Sequence, residues 1–366
     1  MNIVDYVDFR GDITFKERPF NEVDNLIFSE LSYVEMDDFI SSDGKSYMTI
    51  SELREAYSTI KDKLDYPISD PWPLLDICGK SERFGNIPVK YYVKKFDYEK
   101  QYRFTAVTFF IDEKTIYVAY RGTDGNIDGW RECFNLSYLN ETEGQKSALE
   151  YLNRIASLTH EDIIVGGHSK GGNFAEYAAV FSDEKIRRER IKAVYTNDGP
   201  GFSEIVINTE NYKEMLPITH KITPEASFIG CLLEGTEDVK IIKGEGTGLI
   251  QHDPFHWSVR GTSFELSDRK ASAAFTEEAM RIWIDNMDMD ARREFTEAVF
   301  DMLYGTGVTD FSDIHKKKLK TIIAITRSER HLDPEKKATV KDGIKNLGKA
   351  ARQATKKQVR RGAKND

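Results

Sequence analysis

The spacing of apolar residues divides the chain into a helical start, a middle of alternating strands and helices, and a helical end. Residues 21–33 place apolar side chains close to helical spacing and predict an amphipathic helix. A second helix is predicted to begin at Thr49 or Ser51, either of which can cap a helix. After about residue 265 helical spacing returns, most clearly over residues 275–287 and 290–303.

The middle of the chain alternates between strand and helix patterns. The predicted strands cover residues 89–96, 104–111, 115–120, 162–166, 191–196, 220–223 and 239–243, and the predicted helices cover 144–158 and 170–181. A three-residue turn at 112–114 predicts a hairpin between its two flanking strands. The strand at 162–166 is apolar after Asp162, which is typical of a strand buried on both faces of a parallel sheet. The alternation therefore predicts an α/β fold with a mostly parallel sheet.

Composition divides the chain into four expected segments. They are a helical N-terminal segment that packs on the core (1–70), an α/β core (85–265), a helical C-terminal extension (266–330) and a basic tail (334–366). The tail holds 11 Lys or Arg residues and 3 acidic residues. Its Lys and Arg residues are expected on nearly all sides, as in a solvated helix or a disordered tail.

Charge limits the classes of partner. The formal net charge is −9, and because the tail carries +8, the rest of the chain carries −17. An acidic body argues against general binding of nucleic acid. The basic tail is expected either to stay solvated or to touch an anionic surface such as a membrane. No run of 18 apolar residues predicts a membrane span, and the first residues do not resemble a secretory signal, so the cytoplasm is the expected compartment.

The strongest chemical signal is Gly167-His168-Ser169-Lys170-Gly171, which contains the pattern Gly-x-Ser-x-Gly. A predicted buried strand precedes it and a helix of small residues follows it, which is the context that a nucleophile elbow requires. Such a turn is tight enough that only glycine fits on either side of the serine. Ser169 is therefore the predicted nucleophile of a hydrolase.

A nucleophilic serine needs a base, and in this fold the usual order along the chain is Ser, acid, His. His252 lies just beyond the last predicted strand of the sheet, on a loop from which its imidazole can reach the serine. His256 lies four residues further on and remains the alternative base.

The acid that orients the imidazole has two candidates. Asp198 directly follows the predicted strand at 191–196, at the edge where functional groups of open parallel sheets gather. Glu225 follows the next predicted strand and is the alternative acid.

The oxyanion of an acyl-transfer intermediate needs backbone N–H donors. One donor is expected from Lys170, the residue after the nucleophile. The second is expected from Thr123, on the loop after the predicted strand at 115–120. The Thr123 hydroxyl is a further donor at the same place.

These residues resemble the class 3 lipases of the α/β-hydrolase superfamily, and more closely the Mbeg1-like family of lipase-related proteins. The second resemblance rests on four segments and covers roughly residues 2–310. The segments are 21–26, 168–173, 198–202 and 251–253. It implies an α/β-hydrolase fold with helical additions at both ends. The class 3 likeness of Arg121-Gly122-Thr123 implies that Thr123 lines the oxyanion hole.

The chain departs from the class 3 pattern at two positions. Lys170 stands where those lipases usually have Leu, and Ser227 stands where their triad acid is expected. Pancreatic-type lipases keep the acid one strand earlier, in a context that Asp198 resembles. The resemblance therefore favours Asp198 but leaves the acid open.

Together these patterns predict a serine-dependent, lipase-like hydrolase of carboxylic esters, with lipid or acyl esters as the expected substrates. Residues 201–214, after the predicted acid, are a candidate cap over the site. The alternative is an α/β-hydrolase-fold binding or scaffold protein with little turnover, motivated by Lys170 and by the unsettled acid. No cofactor or metal is expected, because His252 and His256 lack the glutamate that a His-Glu-x-x-His zinc motif requires.

Overall fold

The computed structural model describes residues 1–61, 70–97, 102–123, 127–233, 235, 238–306 and 333–365. Residues 62–69 of the predicted N-terminal segment, 307–332 of the predicted C-terminal extension and Asp366 of the predicted tail lie outside the described residues. The boundaries between the four predicted segments stay predictions.

The described elements follow the predicted alternation closely. The strands are β1 (Met48–Thr49), β2 (Pro88–Asp97), β3 (Tyr102–Phe110), β4 (Thr115–Tyr120), β5 (Asp162–His168), β6 (Ile191–Asn197), β7 (Thr219–Pro224), β8 (Val239–Ile242), β9 (Val259–Arg260) and β10 (Ser263–Phe264). The α-helices are α1 (Ile3–Arg10), α2 (Glu22–Leu31), α3 (Ile50–Ser58), α4 (Trp72–Lys80), α5 (Ile127–Asn135), α6 (Glu143–Leu158), α7 (Lys170–Phe181), α8 (Glu204–Ile207), α9 (Glu210–Met215), α10 (Leu249–His252), α11 (Ala271–Asp285), α12 (Met289–Tyr304) and α13 (Pro334–Asn365).

One sheet holds β1 to β8 in chain order. The pairings from β1 to β4 are antiparallel, and those from β4 to β8 are parallel. The predicted hairpin is the β3–β4 pair, in which Ala106 faces Tyr120. The predicted α/β class with a mostly parallel sheet is thereby confirmed.

Alternating side chains of the strands feed two apolar clusters on opposite faces of the sheet. In β4, Tyr117 and Ala119 join the cluster formed with α1 to α4, whereas Ile116 and Val118 join the cluster formed with α6 and α7. The sheet is therefore covered by helices on both faces, which is why its strands are apolar at nearly every position.

Helix α2 differs from its prediction, because it has no solvent-facing side from Val23 to Leu31. It begins with a capping box at Asn21 and contacts β4 and β5 on one side, and α1, α4 and β10 on the others. One buried polar group on this helix is paired at once: Asp24 and Arg83 form a buried ion pair at 2.5 Å. An amphipathic pattern was expected because these polar residues look like a solvent-facing stripe in the sequence.

The basic tail forms a long helix, α13, that packs against α11 and α12. Up to residue 357, its buried positions are small or β-branched, namely Val340, Gly343, Ala350 and Ala354. Of the two predicted forms, the structure therefore has the helix, with one face buried rather than wholly solvated. Within the residues described, every helix is either too short or too polar to cross a membrane.

Candidate active site

The turn between β5 and α7 has the strained geometry of a nucleophile elbow. Ser169 connects the two elements with φ 57° and ψ −131°, a conformation that side-chain-bearing residues rarely adopt. A Cβ on Gly167 would lie 2.4 Å from the carbonyl of Gly171, and one on Gly171 would lie 2.1 Å from the carbonyl oxygen of Tyr120. Only glycine fits at both positions, as the motif predicts.

The structure brings His252 to Ser169. Nε2 of His252 lies 2.9 Å from Oγ of Ser169, and the imidazole sits at the end of the short helix α10. The alternative base, His256, is 38% exposed at its side chain and lies 3.7 Å from Asp253 instead. The geometry of a serine–base pair is thus met by His252 and not by His256.

Asp198 lies on the far side of the same imidazole. It directly follows β6 with φ 49°, is fully buried, and places Oδ2 2.6 Å from Nδ1 of His252. A carboxylate only accepts hydrogen bonds, so Nδ1 carries the proton and Nε2 of the neutral ring is free to accept one from Ser169.

Two further donors fix the Asp198 carboxyl group. The Ser227 hydroxyl donates to Oδ2 at 2.5 Å, and the Gly230 N–H donates to Oδ1 at 3.0 Å. Ser227 occupies the position where the class 3 resemblance places the acid, and here its hydroxyl donates to Asp198, the acid predicted after the previous strand. This hydrogen bond explains how the departure in sequence is accommodated.

Glu225, the alternative acid, has other partners. It forms an ion pair with Lys270 at 2.7 Å and accepts a hydrogen bond from the Ser267 hydroxyl. Burial alone would raise the pKa of Glu225, but these two contacts hold that pKa below its ordinary value. The structure therefore uses Glu225 to attach the segment before α11, away from His252.

The two predicted oxyanion donors flank the serine. Lys170 is the first residue of α7, where backbone N–H groups have no partner within the helix. The loop after β4 approaches from the other side: a Cβ on Gly122 would lie 3.1 Å from the Cβ of Ser169. Thr123 follows Gly122 and is buried, with its hydroxyl 3.5 Å from the Cys133 thiol.

The Lys170 side chain turns into the protein and forms a buried ion pair. Its Nζ lies 2.6 Å from Oε2 of Glu132 on α5, and the two side chains are 1% and 2% exposed. Oε1 of Glu132 accepts the backbone N–H of Gly144, and the ammonium also donates to the carbonyl of Arg103. The pair thus attaches α5 to the elbow. Sequence reasoning missed Glu132, because nothing local marks a partner 38 residues away.

A second missed group supports the base from behind. Nε2 of His168 donates to the backbone carbonyl of His252 at 2.8 Å, so its Nδ1 carries no proton when the ring is neutral. Nδ1 faces Glu30 of α2 at 3.3 Å. Burial and the nearby Asp253 raise the pKa of Glu30 well above its ordinary value, and burial and His252 lower that of His168. Both shifts favour the neutral form of the side chain.

Tyr33, just beyond α2, joins these two parts of the site. Its hydroxyl lies 3.4 Å from Nδ1 of His168 and accepts the N–H of Gly122 at 3.2 Å. The N-terminal segment therefore contacts both the histidine behind the base and the loop that carries Thr123. The only signal in the sequence was a glutamate and a tyrosine within an otherwise apolar stretch.

An apolar cavity opens beside Ser169. Its lining comes from α5, from the segment after β7, and from α11 and α12, and includes Trp130, Phe134, Ile229, Leu232, Met280, Trp283, Ile284, Met287 and Phe295. Residues 201–214, the predicted cap, instead include α8 and most of α9 and bury Phe202, Val206 and Tyr212 in the cluster with α7. The predicted cap is therefore wrong, because these three apolar side chains cover α7 rather than the cavity.

Comparison with known proteins gives one family and several solved structures, two of which are lipases of separate origin. A family model described as Mbeg1-like matches residues 78–301, which include Ser169, Asp198 and His252. The native Rhizomucor miehei lipase propeptide complex is 15% identical, with 59% of this chain and 79% of that chain covered and a TM-score of 0.37. M37 lipase is 16% identical, with 55% and 66% covered and a TM-score of 0.35. No curated protein matches the sequence.

Proposed function

We propose that this chain, which belongs to the Mbeg1-like family, is a lipase-like serine hydrolase that cleaves carboxylic esters. The observation that carries the proposal is the continuous row of hydrogen bonds from Asp198 through His252 to Ser169, with lengths of 2.6 and 2.9 Å. These three groups stand in the order that serine catalysis requires, and the serine is on a strained turn that borders the cavity.

The reaction runs in two halves. Oγ of Ser169 attacks the ester carbonyl carbon while its proton passes to Nε2 of His252, and the N–H groups of Lys170 and Thr123 stabilise the oxyanion. The intermediate then expels the alkoxide, which takes the proton from His252 and leaves as the alcohol. Water repeats the sequence on the acyl enzyme, releases the carboxylic acid and restores the serine. Asp198 keeps the imidazole in the required tautomer throughout.

The substrate class follows from the cavity. Its wall is almost entirely apolar and reaches Ser169 itself, so an acyl chain bound there would place its carbonyl at the nucleophile. Each methylene group buried in such a cavity contributes about 0.8 kcal/mol. Esters with a hydrocarbon acyl chain are therefore the proposed substrates.

Two sequence features favoured the alternative of a binding protein with little turnover, namely Lys170 beside the nucleophile and the unsettled acid. Lys170 directs its charge to Glu132 rather than toward Ser169. The missing class 3 acid is replaced by Asp198, which Ser227 helps to orient. Neither feature argues any longer for an inactive site.

The test is covalent labelling of the full chain with a fluorophosphonate, read by intact mass. We expect one adduct on the wild type, none on Ser169→Ala, and one on Ser157→Ala, an exposed serine that serves as the matched control. A panel of p-nitrophenyl esters of increasing acyl length then measures turnover. An unlabelled, folded wild type that hydrolyses no ester would refute the proposal.

A further inference from the structure

We propose that the outer face of α13 is a docking surface for an anionic lipid bilayer, which presents the cavity at Ser169 to substrates held in that bilayer. The docking surface is the row formed by Lys341, Lys345, Lys349, Arg352 and Lys356. The proposal rests on the proposed function for the identity of the substrate, but the docking itself is independent of turnover.

The row comes from the spacing of its members. They follow one another at intervals of four, four, three and four residues, so they lie on one face of the helix. The buried residues Val340, Ala350 and Ala354 occupy the opposite face, against α11 and α12. At about 1.5 Å per residue the row is a straight line of positive charge over 20 Å long. Lys336 and Lys357 lie outside this row, in keeping with the expected spread of cations over nearly all sides of the tail.

The row is not used to hold the protein together. The cations on the flanks of α13 are paired: Lys336 lies 2.5 Å from Asp301 of α12, and Lys357 lies 2.6 Å from Glu278 of α11. The five members of the row are exposed, and within the described part of the chain none of them forms an ion pair. Five unneutralised charges on one face of an otherwise acidic protein call for an anionic partner.

Apolar side chains beside the row favour lipid over nucleic acid. Ile344 is 61% exposed and lies between the row and the buried face, and Leu347, which projects on the side of the buried face, is 36% exposed. A helix with cations on one side and exposed aliphatic residues next to them suits the boundary between head groups and acyl chains. A phosphate backbone would leave these two residues in water.

The inner face of α13 connects this surface to the cavity. Gly343 packs so closely on Phe295 of α12 that a Cβ there would lie 2.2 Å from the ring. The carbonyl of Gly343 also accepts the indole N–H of Trp283 on α11 at 3.0 Å. Phe295 and Trp283 both line the cavity beside Ser169. A bilayer bound to the outer face is therefore one helix away from the wall of the acyl cavity.

The experiment measures binding of the full-length Ser169→Ala protein to vesicles, so that no substrate is consumed. Vesicles contain equal parts of phosphatidylglycerol and phosphatidylcholine, or phosphatidylcholine alone, and binding is read by co-sedimentation. One variant carries glutamine at all five positions of the row. The matched control carries glutamine at five exposed lysines elsewhere, namely Lys16, Lys80, Lys114, Lys192 and Lys213. Circular dichroism and thermal unfolding verify that both variants are folded.

We expect binding to the anionic vesicles only, and a loss of at least about 100-fold in the row variant, since each cation near such a surface contributes roughly fivefold. The control variant should bind within a few fold of the parent. Binding should also fall as salt rises, because the Debye length shortens from about 10 Å at 0.1 M to about 3 Å at 1 M.

Three results would overturn the proposal: no binding to anionic vesicles, an equal loss in the row and control variants, or equally tight row-dependent binding to duplex DNA at the same salt. Failure of the proposed function is distinguishable from these. Hydrolysis of a short, water-soluble ester depends on Ser169 and not on the row, so the row variant in the wild-type background should retain it in full.

Discussion

The buried ion pair beside the nucleophile leads to a quantitative prediction. Replacing Lys170 with Met removes the ammonium and leaves the Glu132 carboxylate buried, with the Gly144 N–H as its remaining hydrogen-bond donor among the described residues. We expect Lys170→Met to lower the free energy of unfolding by about 3–5 kcal/mol, because an unpaired charge remains in an apolar environment. Glu132→Gln, which strands the ammonium instead, should cost a similar amount.

The size of the effect follows from two opposing terms. At 2.6 Å and an effective dielectric constant of about 20, the attraction between the charges is about 6 kcal/mol. The loss of hydration costs several kcal/mol for each ion, so the intact pair contributes little net stability. The combined variant Lys170→Met, Glu132→Gln removes both charges and keeps an amide oxygen for the Gly144 N–H. It should therefore lie within about 1 kcal/mol of the wild type.

Urea denaturation of the wild type, the two single variants and the double variant measures this cycle directly. If the two charges offset each other, the cycle shows a coupling of several kcal/mol, with the double variant more stable than either single variant. A double variant that loses the sum of the two single losses would refute it, since the two charges would then not offset each other. The backbone N–H of Lys170 survives every substitution, so esterase activity serves as a check that the elbow is intact.

Three further predictions concern the acid, the neutral pair and the cavity. Asp198→Asn should lower kcat by about 10⁴-fold, because the imidazole then adopts the wrong tautomer, whereas Glu225→Gln should keep kcat within a few fold of the wild type. Equal losses of kcat in steady-state assays would contradict the assignment of Asp198 as the acid. Burial raises the pKa of Glu30 in the folded protein. Above a pH of about 4.3 the unfolded chain therefore releases a proton that the folded protein keeps. The free energy of unfolding then falls as the pH rises from this value toward the folded pKa. Glu30→Gln removes this loss, so the urea midpoint of the variant should rise relative to that of the wild type over the same pH range. Urea midpoints of the two proteins that change in parallel with pH would exclude a neutral Glu30 carboxyl group. The lowered pKa of His168 reduces the free energy of unfolding as the pH falls below about 6.5. This contribution is the same in the wild type and in Glu30→Gln, so it does not affect the comparison. Ile284→Phe fills part of the cavity, so kcat/KM should fall about fourfold for each displaced methylene group of a long acyl chain and stay unchanged for acetate esters; a uniform loss across chain lengths would place the acyl chain elsewhere.

Local sequence patterns were sufficient for the sheet and the elbow. The bounds of β4 and α7 coincide with their predictions, and β5 extends its predicted strand by two residues up to Ser169. These elements are encoded by short-range signals: alternation or continuity of apolar residues, and glycines where a Cβ would clash. The Gly-x-Ser-x-Gly motif is informative for the same reason, since the strain at Ser169 and the space at Gly167 and Gly171 are properties of one turn.

The choice between paired candidates was beyond any local pattern. Asp198 and Glu225 each follow a strand of the parallel sheet, and His252 and His256 share one loop, so the sequence alone left both choices open. Tertiary packing separates them: Lys270 and Ser267 bind Glu225, while Ser227 and Gly230 hold Asp198 against His252. Each decision depends on which distant residue reaches the carboxylate.

By itself, then, the sequence determined the α/β class, the order of the strands and helices, the elbow at Ser169 and a short set of partners for it. Only the tertiary structure decided that His252 and Asp198 complete the row, that Glu30 and Glu132 support it, and that α11 and α12 line the cavity. The physical reason is the distance along the chain between the residues that interact. Hydrogen bonding and burial within one element follow from the spacing of its own residues, whereas the meeting of Glu30 with His168, or of α13 with Trp283, depends on how separate elements pack.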